Sequence, residues 1–328
     1  MLVRRSAMIV AVMLGLVACQ DELPGQRDDN PISVAASMPE FWKTAPGSDD
    51  ERWEVLRRVR AIDPCALIPR AELGHFGEPL QVEADNLNRC STTFGSTESG
   101  KGTKIGWSLG VAPEGYIWGE TKRDEVDGIT VGMLRDLDAS PELEGKLTER
   151  SCTAIASFAN TVTLPLRVST PLGTEPCPAA QAALTRAMRA LADEPAQGTS
   201  PDTPNTVLLG TDPCAVAAVL GAATPVLEQR AWSCSFTHRD DEIHVEYAYD
   251  NEGYVIDDEP IFVVNGHQGY GAADDVGGTV FYRAALGTAL PGAPSSMGPR
   301  IPAISVSGKD RDTVEAVLRA TTELFPAR

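Results

Sequence analysis

The chain has 328 residues, and its 28 Lys and Arg stand against 46 Asp and Glu, a formal charge of −18. A surface that acidic excludes a nucleic-acid binder, because such binding rests on neutralising phosphates with basic side chains. It also opposes attraction to anionic lipid head groups and keeps the chain soluble.

The first element is a secretion signal over 1–18. Arg4 and Arg5 form a charged start, and Ser6 to Ala18 carry no charge. That run is too short to span a bilayer, which takes about 20 apolar residues, but it suits the apolar region of a signal peptide. Leu16-Val17-Ala18-Cys19 resembles the bacterial lipobox. The resemblance implies a diacylglyceryl group on the Cys19 sulfur, cleavage before Cys19 and acylation of the new amine. Residues 1–18 hold two basic and no acidic residues, so 26 basic and 46 acidic residues remain and the mature charge is −20. Lipid chains must then hold the protein without electrostatic help. Residues 19–51 read as an acidic tether, with Phe41 and Trp42 as docking points on the first domain.

A first unit spans 52–193. It opens on Asp63-Pro64-Cys65-Ala66-Leu67, runs to Leu73-Gly74, and reaches a strand-like segment around Cys90. Residues 95–102, from Gly95 to Gly102, nearly match a phosphate-binding loop, but Gly102 replaces its Ser or Thr. The residues after it also alternate as a strand rather than open a helix. We therefore read a hairpin loop. Thr103 to Val111 alternates with Ile105, Trp107, Leu109 and Val111 on one side. Cys152 to Phe158 and Thr161 to Val168 form a hairpin about Ala159-Asn160. Pro178 to Asp193 is an amphipathic helix with Leu184, Met188 and Leu191 on one face.

Residues 194–207 are a linker rich in Pro and small polar residues. A second unit, 208–328, repeats the pattern: Asp212-Pro213-Cys214-Ala215-Val216, then Leu220-Gly221, then a strand around Cys234. Glu242 to Tyr249 alternates with Ile243, Val245 and Tyr247 inward. Asp250 to Gly253 reads as a turn. Gly278 to Ala285 and Ile301 to Ser307 are further strands. Asp310 to Leu324 is a closing helix with Val314, Val317, Leu318 and Leu324 on its apolar face. A period near 150 residues means tandem domains, each large enough for a core. Strands enclosed between an opening and a closing helix predict α+β units with antiparallel sheets.

Seven cysteines less Cys19 leave six, an even number in an exported chain, which suggests disulfides. Matching positions in the repeat should make matching bonds: Cys65–Cys90 and Cys214–Cys234. Cys152–Cys177 remains for the first unit. The alternative of a metal site lacks C-x-x-C or His spacing.

The lipobox, acidic tether, Asp-Pro-Cys segment, Leu-Gly, strand cysteine and closing helix together resemble the actinobacterial lipoprotein domain of unknown function 3558. The likeness covers about 60–193 and again 208–326. It implies no catalytic residues. The second copy departs from the first in lacking counterparts of Cys152 and Cys177.

His238, Asp240, Glu242, His244 and Glu246 share strand parity and make a candidate metal face, against the reading of a solvated face. His75 and His267 stand alone. No hydrolase signature appears. We expect no catalytic residue, no metal and no cofactor. The expected function is a non-enzymatic envelope lipoprotein on the outer face of the cell membrane. It would bind an envelope protein or a small neutral or cationic ligand in a cleft, with Trp107, Trp118 and Trp232 as candidate lining, against the favoured reading of each as core packing. The alternatives are an extracytoplasmic hydrolase with an unrecognised site and an accessory or structural subunit of an envelope complex.

Overall fold

The computed structural model describes residues 30–112, 122–257, 259–271, 278–292 and 297–327. The expected signal over 1–18, Cys19 and Trp118 lie outside them. No described helix is long and apolar enough to cross a membrane.

Helices α1 (Pro31–Ser37), α2 (Glu40–Lys43) and α3 (Asp49–Ala61) open the described chain. This corrects the tether expectation for residues 31–51, which fold onto the body. Val34, Ala35, Met38 and Trp42 are buried, and Trp42 meets Phe158 with ring centroids 5.3 Å apart. Asn160 donates to the Phe41 carbonyl at 3.1 Å, and Arg58 lies 3.6 Å over the Phe41 ring. Asp49, Asp50 and Glu51 in the first turn of α3 suit the helix dipole, and the Ser48 hydroxyl caps it at 3.3 Å.

The Asp-Pro-Cys segments have a physical reason that is the same in both places. The Asp63 carboxylate accepts from the Cys65 N–H at 2.9 Å, and the Asp212 carboxylate accepts from the Cys214 N–H at 2.9 Å. Asp closes the turn, Pro sets φ, and Cys pins the turn to the sheet. A short helix comes after each: α4 (Arg70–Leu73) in the first, and later α7 (Ala215–Val219) in the second.

The first sheet contains β1 (Pro79–Asn86), β2 (Arg89–Phe94), β3 (Thr103–Ser108), β4 (Gly110–Val111), β5 (Lys122–Val126), β6 (Ile129–Arg135), β7 (Glu149–Ser157) and β8 (Val162–Pro171). Its order is β1-β2-β3-β8-β7-β6-β5, with β4 beside β8. A short α5 (Asp136–Ala139) comes after β6. The long helix α6 (Cys177–Ala192) covers β7 and β8, with Leu184, Met188 and Leu191 fully buried. The second sheet contains β9 (Ser233–His238), β10 (Asp241–Asn251), β11 (Phe262–Val264), β12 (His267–Gly271), β13 (Val280–Ala285) and β14 (Arg300–Gly308), in the order β11-β12-β13-β14-β10-β9. α8 (Glu252–Val255) sits after β10, and α9 (Arg311–Glu323) covers β13 and β14. All pairings in both sheets are antiparallel. The chain is α+β.

Without β1 and β4, the two sheets have one connectivity. β2-β3-β8-β7-β6-β5 corresponds strand for strand to β9-β10-β14-β13-β12-β11, and each ends on a long helix. Cys90 and Cys234 stand on corresponding strands, joined to Cys65 and Cys214. Cys152 on β7 is joined to Cys177 at the start of α6. All three pairs have Cα atoms 5.1 Å apart. Loops of 25, 25 and 20 residues are closed, each worth roughly 3 kcal/mol in the chain-entropy account.

Three details differ from expectation. β10 runs through Asn251, and Glu252 starts a helix rather than a turn, because its N–H and that of Gly253 donate to Pro299 and Met297 carbonyls at 2.8 Å. Leu324 is 41% exposed, and Phe325 is buried in its stead against Tyr247. The 194–207 segment is stitched down rather than free. Asp63 N–H donates to Pro195, Gln197 N–H donates to Ala61, and the Asp63 carboxylate accepts from the Ser200 N–H and the Thr203 hydroxyl.

Candidate functional site

Most buried apolar side chains of both sheets join in one cluster, running from Val34 to Phe325, while Val255, Tyr270, Ala285, Ile301 and Ala303 form a small separate one. Polar clamps flank the main cluster. Arg60 of α3, 2% exposed, donates to the Ala231 carbonyl at 2.6 Å and pairs with Asp212 at 2.8 Å. Burial draws its guanidinium below the ordinary value, and Asp212 opposes that. Arg300 of β14 reaches the Ala84 carbonyl at 2.8 Å, Glu83 at 3.2 Å and Asp85 at 3.4 Å on β1. The Asn86 side chain accepts from the Tyr249 N–H at 2.9 Å.

Beside these clamps the seam opens into a cleft of about 490 Å³, within the size range of small-molecule sites. One wall is the β1–β2 turn with Asn88 and Arg89, held by buried Leu87 and by the Asn88 carbonyl accepting from Leu109. The other is the run into β9, with Arg230, Trp232 and Ser233, continued by Glu246 of β10. Tyr247 and Ala231 close the back and are buried. Burial pushes the Tyr247 phenol far up, so it stays neutral.

The cleft groups divide in two. Asp85 and Asn86 are committed to the clamps, and Arg230 donates to the Gln229 carbonyl at 2.9 Å. The side chains of Asn88, Arg89, Trp232, Ser233 and Glu246 have no hydrogen-bond or ion-pair partner among the described residues. Four of the five also come from corresponding places, Glu246 of β10 being the exception. Asn88-Arg89 immediately precedes Cys90, and Trp232-Ser233 immediately precedes Cys234. The repeat itself is the signal that identifies this pair of segments. Sequence reasoning singled out Trp232 but missed Asn88, Arg89 and Ser233, because their meeting depends on how the two sheets join.

The other expected residues have different settings. Trp107 is core: it is 1% exposed and its indole N–H donates to the Pro64 carbonyl at 2.6 Å. Glu242, His244 and Glu246 do point outward on β10. Asp240 does not join them, because Arg239 and Asp240 form a two-residue hairpin turn with φ of 53° and 62°. Among the described residues no group of three or more His, Cys, Asp or Glu is placed to hold a metal ion. His75 lies 3.7 Å from Glu72, and buried His267 meets the Pro326 carbonyl at 2.9 Å. The Gly95–Gly102 stretch is the β2–β3 hairpin loop. A Cβ at Gly102 would collide with the Ser96 carbonyl and stand 2.7 Å from that of Phe94.

One pair has chemical interest. Ser235 Oγ and His244 Nδ1 lie 3.0 Å apart on the exposed face of β9 and β10. No third group orients His244 among the described residues. The Ser235 N–H, a usual oxyanion donor, is taken by the Gln229 side chain at 2.9 Å. No protein-family model, curated protein or solved structure matches the chain.

Proposed function

We propose that this chain is a cell-envelope lipoprotein that binds a ligand, without catalysis, in the cleft between two tandem copies of one domain. The observation that carries the binding reading is a group of five unpartnered side chains: Asn88, Arg89, Trp232 and Ser233 from corresponding segments before Cys90 and Cys234, and Glu246 of β10. Polar side chains left unpaired in a concave wall favour a ligand that pairs with them. The common strand order and the shared Asp-Pro-Cys turn geometry support a duplication of a domain like that of unknown function 3558, with a short opening helix and an amphipathic closing helix. Acylated Cys19 would hold the body close to the outer face of the membrane: ten residues separate it from Asn30, and they reach at most about 35 Å.

The test is small-molecule mass spectrometry on protein purified in detergent. The wild type should carry a compound that a Trp232→Ala, Glu246→Ala double variant loses. Equal contents of both would remove the cleft from consideration. Membrane fractionation of Cys19→Ala tests the anchor, and unaltered attachment would end that part of the reading.

A hydrolase is the second reading, favoured by the Ser235–His244 contact. Labelling by a fluorophosphonate that is lost in Ser235→Ala would establish it over binding.

A further inference from the structure

We infer that the cleft ligand is a neutral saccharide, an inference that rests on the cleft being a binding site. The five free side chains differ in what they offer. Arg89 and the Trp232 indole only donate, Glu246 only accepts, and Asn88 and Ser233 do both. A ligand that satisfies all of them needs hydroxyls in several directions, each both donor and acceptor. The charges in and beside the cleft balance once the Arg300 clamp is included: Arg89, Arg230 and Arg300 stand against Glu83, Asp85 and Glu246. An anion would meet Glu246 and a cation would meet Arg89, so neither sign gains. A hydrocarbon would leave these groups dry and unpaired, at roughly 1–3 kcal/mol each.

The aromatic adds the second half of the argument. Trp232 packs partly against the core and is otherwise open to the cleft. Its indole offers a flat apolar face beside an N–H donor. A pyranose has the matching shape, with C–H groups on one ring face and hydroxyls around its rim. The volume of about 490 Å³ admits more than one ring. A peptide, the rival occupant, presents backbone amides in a line and no such rim.

The test tracks the indole N–H signals of the full mature protein in ¹⁵N–¹H spectra. Trp232, one of five tryptophans, is assigned by Trp232→Phe. The probes are maltotriose, chitotriose and the tripeptide triglycine. A saturable shift of the Trp232 signal by at least one trisaccharide is expected. Glu246→Gln, at an exposed position, should weaken that binding about tenfold through loss of a charge-assisted hydrogen bond. A Glu142→Gln control, far along the chain on the first unit, should bind as the wild type does. A shift by triglycine alone overturns the saccharide while leaving the cleft as a binding site. No shift by any of the three probes overturns both.

Discussion

Single carboxylates set much of the local order. Asp136 accepts from Arg150 Nε and Nη2 at 3.0 Å, from the Ser151 N–H at 2.7 Å and from the Leu137 N–H at 2.9 Å. Burial alone would raise its carboxyl, but the Arg150 and backbone hydrogen bonds outweigh that and hold it below the usual carboxylate range. A group depressed in the folded state stabilises above its unfolded value, near 4, and that contribution fades as pH falls through the folded value. Asp310, which caps α9 through the Thr313 N–H and hydroxyl, is lowered in the same sense. Thermal melts from pH 6 down to pH 2 should therefore show stability falling on the acid side. Asp136→Asn should melt lower at pH 6 and lose less on acidification. An identical slope in both proteins would mean that Asp136 does not contribute.

Elements were legible where periodicity was strong. β3, β7, β8, β10, β14, α6 and α9 all carry apolar residues at strand or helix spacing, and their ends fall within a few residues of the reading. The hairpins that escaped have other reasons. β5, with Lys122, Arg123, Asp124 and Glu125 in succession, shows no apolar alternation. β12 contains Gly269, over which the Phe262 ring of β11 lies so closely that a Cβ has no room; the pair forms across strands and leaves little trace within either. The 31–51 stretch gives little helical signal because α1 and α2 are short and depend on tertiary packing, α1 on α6, β5 and β6, and α2 through Trp42 on Phe158. The same logic settles the near-match to a phosphate loop. Gly102 is there because the hairpin returns against the Ser96 and Phe94 carbonyls. Gly102→Ser, which completes the nucleotide pattern, should lower the melting temperature and bring no ATP binding by calorimetry. A stable variant that binds ATP would reverse the assignment of this loop.

The join between the two sheets was the least legible level, and it is what makes the cleft. The linker reads as a spacer because its Pro and small polar residues cannot build a core, yet Asp63, Ser200 and Thr203 fasten it to the first Asp-Pro-Cys turn. Arg60 of α3 does not stand out as a sequence feature, and it crosses to the Ala231 carbonyl and to Asp212, beyond the 194–207 segment. Because the main apolar cluster runs through both sheets, opening one sheet uncovers part of the core packed on the other. Calorimetric unfolding should then give a single transition, with the calorimetric and van't Hoff enthalpies equal. Arg60→Met keeps much of the volume but strips the Ala231 carbonyl of its donor. Asp212, 46% exposed, stays hydrated after the change, so the loss should be about 2 kcal/mol and not the larger penalty of a fully buried ion pair. If the variant unfolds in two separated steps while the wild type unfolds in one, Arg60 is the coupling between the units. Two steps already in the wild type would mean that the units fold independently. The cleft walls, each built by a different unit, would then have no fixed spacing, and a rigid ligand such as a saccharide ring would bind weakly for want of preorganisation.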